Sequence, residues 1–362
     1  DFTRTAESVQ KIGADLNKWV AEHSNLKYDL SALFMPRQQP IPKQEAQQLS
    51  EEWNEDLESM EVFVLENKKF TKLPEIEFGH FFSGESYVFL CRYWVPIEVD
   101  PEAATEDEES EILDETKSVV YFWQGRDASN MGWLTFTFSL QKKFESLFGE
   151  KLEVVRMHQQ QENLKFLSHF KQKFVIHKGK RDLAIEAPDR LTGNEVQLYQ
   201  LRSNCDPITL RCIEIGLTSV VFYSAYCYIL KTMPNENEKG HVVIWAGADC
   251  DPDIVQVAQE ISHGMYNNEL FNHSVVEQGE KSEVLHLHLP TLQIDSECSF
   301  INFSRLFRCS NDKGYFAISE KCTDFCQDDL VDEDIMILDN GTQVFIWLGV
   351  RCSEVEVKLE HK

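Results

Sequence analysis

The clearest pattern in the chain is an apolar run that ends in Trp-x-Gly and occurs three times. The runs are VVYFWQG at 119–125, HVVIWAG at 241–247 and QVFIWLG at 343–349. A polar turn and then apolar residues at helical spacing follow each run, which predicts a strand, a turn and a helix. The copies lie about a hundred residues apart, beyond the roughly 20–50 residues of solenoid repeats. Each repeat can therefore have its own core, and the pattern predicts tandem α+β domains.

Further apolar stretches extend this order of elements around each Trp-x-Gly run. In the first repeat we expect strands at 61–66, 81–94, 151–157 and 173–179, a long helix at 131–148 and a short helix at 163–170. The second has strands at 196–202 and 224–231 and a helix that starts at Asp251, and the third has strands at 303–310, 314–320 and 332–339. In the first long helix we assign Leu140, Phe144, Leu147 and Phe148 to the core side. Together these elements predict a mixed sheet with helices packed against it.

The domain organisation follows from these elements. Residues 1–60 predict two short helices around a proline-rich link, which we interpret as a linker that packs on a neighbour, with partial disorder as the alternative. The repeats then occupy 61–181, 196–290 and 301–362, and the acidic run at 98–115 should be a solvated loop within the first. We expect the third repeat to lack its C-terminal part, and the chain to be a fragment of a larger protein.

Charge and composition narrow the classes of function. The chain has 362 residues and a net charge of −26, which argues against nucleic-acid binding because phosphate contacts need a basic face. The ten cysteines follow no framework spacing, so we expect a reduced, cytoplasmic protein. Phosphate-loop, GxSxG and HExxH motifs are missing from the sequence, which predicts that it is not an enzyme. His286 and His288 alternate with leucines and predict one face of a strand rather than a metal site.

The order of motifs resembles that of the gelsolin/villin family. The resemblance is carried by SGESYVFL at 83–90, YFWQG at 121–125, VVRM at 154–157 and FVIHKG at 174–179, and its three copies cover 61–362. It implies tandem gelsolin-like domains, each with a central mixed sheet sandwiched between a long and a short helix. It also implies a calcium-responsive, actin-binding protein of the actin cytoskeleton. A narrower likeness to one branch of the family, carried by 121–148 and 322–341, implies leucine-rich repeats upstream.

The same resemblance implies that the long helix contacts actin in the cleft between its subdomains. On 131–148 we take Trp133, Lys142 and Lys143 as candidate contacts, because most apolar residues of the helix should cover the sheet. Severing relatives tend to carry acidic residues on this helix, so we expect capping or remodelling of filaments with weak or no severing. The alternative is a protein-interaction scaffold that has lost strong actin binding.

Calcium sites are also implied by the resemblance. In the family, a backbone carbonyl and an adjacent carboxylate before the central strand meet a glutamate on the long helix, a set of hard oxygens that suits Ca2+. The matching positions are Gly84, Glu85 and Gly132; Ser224, Ala225 and Ile254; and Glu333, Asp334 and Glu356. Only the last set keeps both carboxylates and is the candidate Ca2+ site, whereas Gly84 and Glu85 are a degraded one. Ser353 and Glu356 fit a capping box equally well, which needs no metal.

One basic stretch stands out in an acidic chain. It contains Lys165, Lys171, Lys173, Lys178, Lys180 and Arg181. It predicts binding to phosphoinositide membrane surfaces, which gelsolin relatives bind, or to an acidic protein surface such as that of actin. The alternative is an ordinary solvated face of a short helix and a strand.

Overall fold

A computed structural model describes most of the chain in two compact units. The described residues are 41–95, 115–149, 152–185, 191, 193, 195–203, 207–218, 220–235, 238–266, 269–296, 304–310, 317–321, 325, 329–340 and 343–352. The larger unit contains Pro40–Ser304 with Thr323–Asp329, and the smaller contains Arg305–Cys322 and Leu330–Lys362 together with Asp1–Gln39. The first predicted helix, most of the acidic loop and Glu356 lie outside the described residues.

The elements alternate between strands and helices as the sequence predicts. In the larger unit they are α1 (Lys43–Glu55), β1 (Leu57–Glu66), β2 (Lys69–Lys72), β3 (His80–Phe82), β4 (Ser86–Val95), β5 (Glu115–Gln124), the long helix α2 (131–148), β6 (Leu152–His158), α3 (Leu164–Ser168), β7 (Val175–His177), β8 (Gln197–Arg202), β9 (Arg211–Ile215), β10 (Val221–Tyr223), β11 (Cys227–Lys231), β12 (Gly240–Ala246), α4 (Pro252–Met265), β13 (Phe271–Glu277), α5 (Glu283–His288) and β14 (Gln293–Asp295). The smaller unit has β15 (Arg305–Ser310), β16 (Ala317–Lys321), β17 (Ile335–Asp339) and β18 (Val344–Leu348).

Each repeat builds its sheet in the same order. The first sheet runs β2-β1-β4-β5-β6, and the corresponding strands of the second run β9-β8-β11-β12-β13. In both, the central pairs are antiparallel and the last pair is parallel, β5 with β6 and β12 with β13. The third repeat has the matching four strands, in the order β16-β15-β17-β18. The mixed sheet is thus confirmed, although its first strand starts at Leu57 rather than at residue 61.

The first sheet is buried on both faces because side chains of successive residues in a strand point to opposite sides. On β4, Tyr87 and Phe89 pack with Phe166 of α3, whereas Val88 and Leu90 pack in the cluster that contains Phe136 of α2. The second sheet is covered in the same way by α4 on one face and α5 on the other. The predicted sandwich between a long and a short helix is therefore confirmed in the first two repeats.

The glycine of each Trp-x-Gly motif follows the end of its strand, β5, β12 or β18. There the backbone lies very close to the loop that precedes the neighbouring strand, β4, β11 or β17. A Cβ atom added there would lie only 2.1–2.3 Å from a backbone carbonyl oxygen, at Gly125 against Ser83, at Gly247 against Ser224 and at Gly349 against Asp332. No side chain fits in that space, and the neighbour is backbone that cannot simply rotate away. This close approach explains why a glycine ends the Trp-x-Gly motif in every repeat.

The first two repeats are joined through backbone pairing. Strand β7 pairs in parallel with β3 and also with β9, so two strands of the first repeat extend the second sheet to seven strands. Helix α1 packs near α3 and the turn Pro207–Thr209, with Ala46 fully buried. The expectation that the second linker helix packs on a neighbour agrees with this arrangement. Among the described residues, none of the helices has the length and apolar character needed to cross a bilayer.

Two local predictions are wrong. His286 and His288 lie on helix α5 rather than on a strand, since Leu285 and Leu289, four residues apart, are the buried positions. Ser282 caps this helix by accepting a hydrogen bond from the Leu285 amide. In α2, Leu147 is 73% exposed, because it precedes the sheet-facing Phe148 by one residue and so points about 100° away from it.

Candidate functional site

Helix α2 contains a π-helical turn at its centre, which affects which of its residues face the sheet. It consists of Met131–Thr135, the π turn Phe136–Leu140 and Gln141–Phe148. Its sheet-facing residues recur every fourth position from Gly132 to Phe148, whereas steps of four in an α-helix drift by about 40° each. The wider π turn takes up part of that drift. The hydroxyls of Thr135 and Thr137 donate to carbonyls four residues earlier, which suits a helix despite the strand-like TFTF sequence.

The opposite face of α2 carries an apolar stripe that the sequence analysis missed. Met131, Leu134 and Phe138 are 61%, 44% and 69% exposed, at the i, i+3, i+7 spacing that places them in one row. Lys142 and Lys143 are also exposed, and the Lys142 ammonium lies 5.6 Å from the centre of the Phe138 ring. The i, i+3, i+7 spacing of these three apolar residues is visible in the sequence, as a second row beside the residues that face the sheet.

Trp133 is placed differently from our expectation of an exposed contact. Its indole is half-buried, with ring centres 5.0 Å from Phe122 and 5.5 Å from Phe136. The Arg156 guanidinium covers it at 4.9 Å. Trp133 therefore serves mainly to pack α2 on the sheet, and the adjacent stripe with the two lysines is the surface open to a partner.

The predicted basic stretch is divided between surface and interior. Lys171, Lys178 and Lys180 are exposed, and Lys173 is exposed but bonded to Glu260 at 3.0 Å. Lys165 is half-buried with its ammonium 4.0 Å from the Tyr93 ring centre. Arg181 is buried, so its assignment to a lipid-binding surface is wrong. The exposed cations of this stretch are therefore Lys171, Lys178 and Lys180, together with the ion-paired Lys173.

The strand-helix junctions of the three repeats can be aligned by their backbone hydrogen bonds. The amides of Gly125, Gly247 and Gly349 donate to the carbonyls of Glu85, Tyr226 and Asp334, at 2.9, 3.1 and 3.1 Å. These three residues are therefore equivalent, and the positions before them are Gly84, Ala225 and Glu333. The prediction for the second repeat, Ser224 with Ala225, is off by one residue, since Ser224 matches Ser83 instead.

At the first junction the degraded calcium position already holds a cation of the protein itself. Glu85 accepts hydrogen bonds from the Arg181 side chain at 3.0 Å and from the Tyr87 hydroxyl at 2.9 Å. Burial raises the pKa of Glu85, while the Arg181 charge opposes that shift. On the helix side, a Cβ on Gly132 would lie 2.4 Å from the Ser86 hydroxyl. The residues here do not fit a calcium ion.

The second junction offers no carboxylate at the equivalent strand and helix positions, Ala225, Tyr226 and Ile254. Asp251 instead caps α4 by accepting a hydrogen bond from the Asp253 amide at 3.1 Å. Lys43 from α1 bridges both aspartates, at 2.5 and 2.9 Å. These bonds explain why the pKa of Asp251 is lowered, with the Lys43 hydrogen bond as the largest cause.

At the third junction both predicted strand carboxylates lie beside arginines. Asp334 is buried and accepts a hydrogen bond from Arg308 at 2.6 Å, and Glu333 pairs with Arg351 at 2.7 Å. Burial raises the pKa of Glu333. Within the described ranges, no group of three or more His, Cys, Asp or Glu side chains is placed to hold a metal ion. Glu356, the third predicted ligand, falls outside those ranges.

Comparison with known proteins identifies the class to which these repeats correspond. The gelsolin-repeat family model matches residues 317–361. Protovillin of Dictyostelium discoideum is 25% identical over 91% of this chain and 33% of its own length. Residues 317–361 thus match a gelsolin repeat, and the resemblance to the gelsolin/villin family predicted from the motifs is confirmed.

More similar relatives match the whole chain. It is 51% identical to Protein flightless-1 of Drosophila melanogaster and 48% identical to the Protein flightless-1 homolog of Homo sapiens, across 100% of this chain. The chain spans 30% of the length of each of these relatives. The crystal structure of the Thorarchaeota 2DGel3/rabbit actin complex matches 64% of this chain and 100% of that chain at 14% identity, with a TM-score of 0.22 that is too low to support an argument.

Proposed function

We propose that this chain is an actin-binding module that caps or remodels filaments, with weak or no severing, and that acts by binding rather than as an enzyme. The observation that carries the proposal is the exposed row of Met131, Leu134 and Phe138 on α2, next to the exposed side chains of Lys142 and Lys143. An apolar row with a basic end suits a hydrophobic cleft in an acidic protein. Actin, within a cytoplasmic cytoskeleton, is the partner that the family resemblance implies.

Co-sedimentation with filamentous actin tests this proposal at low and physiological salt. Phe138→Ala should weaken binding by about tenfold or more, since full burial of a phenylalanine is worth roughly 1.5–3 kcal/mol and 1.4 kcal/mol is a factor of ten. Leu287→Ala is the matched control, because Leu287 is 75% exposed on another helix. If the unaltered chain does not pellet at either salt, the interaction-scaffold alternative replaces the actin proposal.

We also propose one weak calcium site in the third repeat, built from the Glu333 carbonyl, Asp334 and Glu356. Support comes from the carboxylates at the two positions that the family uses, while Arg308 and Arg351 would compete with the ion for them. Calorimetric titration with calcium should show one weak binding event that disappears in Glu356→Gln. An unchanged titration would assign Glu356 to the capping box.

For the basic surface we propose binding to phosphoinositide-containing membranes through Lys171, Lys178 and Lys180. Each basic residue near an anionic surface contributes about 1 kcal/mol. Reversing the charge of Lys171 and Lys178 should therefore reduce binding to liposomes with phosphatidylinositol 4,5-bisphosphate by tenfold or more. Equal binding by the altered and unaltered proteins would leave these lysines as a solvated face.

A further inference from the structure

The most unusual polar group of the first repeat is the buried side chain of Arg181. Its side chain is 1% exposed, and its guanidinium contacts three carboxylates, those of Glu66, Glu77 and Glu85. The nitrogen-oxygen distances to Glu77 and Glu85 are 2.9 and 3.0 Å. The carboxylates come from the end of β1, from a short 3-10 turn and from the residue before β4. Three neighbouring segments of the chain therefore converge on one positive charge that lies about a hundred residues later in the sequence.

The segment that carries Arg181 also closes over the first junction through its backbone. The Gly84 amide donates to the Gly179 carbonyl at 2.6 Å, and the Gly179 amide donates to the Ser83 hydroxyl at 2.9 Å. The Arg181 amide donates to Glu85 at 3.2 Å. These backbone hydrogen bonds hold the guanidinium in position. The contacts of the guanidinium with the three carboxylates in turn hold the segment in place.

Three neighbouring carboxylates, those of Glu77 and Glu85 buried and that of Glu66 partly exposed, repel one another unless a cation lies between them. Two observations indicate that the cation here is a side chain and not a metal. Arg181 occupies the centre of the cluster, and Gly132 leaves no room for a glutamate from α2, since a Cβ there would touch Ser86. The three carboxylates could offer up to six oxygens, which matches the lower end of calcium coordination.

We propose that Arg181 is the permanent cation of the first junction, in the place where the family resemblance implies calcium. The segment 179–181 is therefore held against the first junction whether or not calcium is present. Neutralising Arg181 should convert the Glu66, Glu77 and Glu85 cluster into a site for a divalent cation.

Calorimetric titration with calcium chloride tests the proposal, with thermal unfolding in excess calcium and in EDTA as a second readout. All variants carry Glu356→Gln, which removes the candidate site of the third repeat. In this background the protein should neither bind calcium nor change its unfolding midpoint. Arg181→Gln should unfold at a lower temperature in EDTA, gain one calcium-binding event and recover part of the lost midpoint in calcium. Adding Glu85→Gln to it should abolish that gain.

Arg211→Gln is the matched control, because Arg211 is a buried arginine that pairs with the single carboxylate Glu162. It should lower the midpoint without producing calcium binding. The proposal is overturned if Arg181→Gln responds to calcium no more than Arg211→Gln. If Arg181→Gln does not fold, Glu85→Gln with Arg181 intact is titrated with calcium instead. An isotherm identical to that of its parent supports the internal cation, and loss of a calcium-binding event refutes it.

Discussion

Replacing Arg211 with methionine tests how strongly the first two repeats are held together. Arg211 on β9 donates to the fully buried Glu162 from two nitrogens, at 3.0 and 2.8 Å. The other oxygen of Glu162 accepts from the Trp123 indole at 2.7 Å and from the Gln160 amide at 3.0 Å. Both oxygens of the Glu162 carboxylate therefore accept hydrogen bonds. Among these partners, only Arg211 carries a positive charge.

Arg211→Met leaves a buried carboxylate with neutral donors alone. Breaking a buried ion pair by removing one partner costs about 3–5 kcal/mol, so the free energy of unfolding should fall by that amount. Glu162→Gln added to Arg211→Met removes the stranded charge but keeps an acceptor for Trp123. The double variant should therefore be less destabilised than Arg211→Met alone, with a coupling of about 2 kcal/mol.

Equilibrium urea unfolding, followed by tryptophan fluorescence, measures both quantities from the midpoint at a constant m-value. The reasoning fails if Arg211→Met costs less than about 1 kcal/mol. It also fails if the two substitutions simply add, because additivity would mean that the stranded charge carries no penalty.

Two further predictions concern the junctions and the interior. Gly247→Ala should destabilise the protein by about 1–3 kcal/mol because its Cβ would lie 2.1 Å from the Ser224 carbonyl oxygen. Gly264→Ala, inside α4 with open space around it, should stabilise by about 0.5–1 kcal/mol in the same urea unfolding assay, and equal effects would refute the close-approach argument. Burial, aided by the Lys165 charge, lowers the pKa of His169 to about 4. The pKa of His169 is thus lower in the folded than in the unfolded protein. Its contribution to the free energy of unfolding should therefore be fully present above pH 6.5 and decline as the pH falls towards 4. His169→Gln should flatten that part of the pH profile of unfolding, and an unchanged slope would show that His169 does not contribute.

The order of strands and helices along each repeat could be predicted because its determinants are local. Strand β4 is apolar at nearly every position, as expected for a strand covered on both faces. The Trp-x-Gly motif marks the end of the next strand, and the Asp251-Pro252 pair marks the start of α4. Each of these signals lies within a few residues of the structure that it specifies.

The charged sites could not be predicted, because their partners come together only in the folded chain. Arg181 is far in sequence from Glu66 and Glu77, and by residue type alone it belongs with the neighbouring lysines. The junction of the second repeat was misaligned by one residue because the connections before the Trp-x-Gly strands differ in length. Leu147 and Phe148 are equally apolar, and only the π turn in α2 decides which of them faces the sheet.

The seven-stranded sheet limits where this protein can bend. To swing the second repeat away from the first, the backbone pairing of β7 with β9 and the buried Arg211–Glu162 pair would have to break together. Because these bonds lie in one packed interior, their loss would be cooperative rather than stepwise. The first two repeats should therefore move as one rigid body. A force applied to the second repeat should then reach the exposed row on α2 through the paired strands β7 and β9.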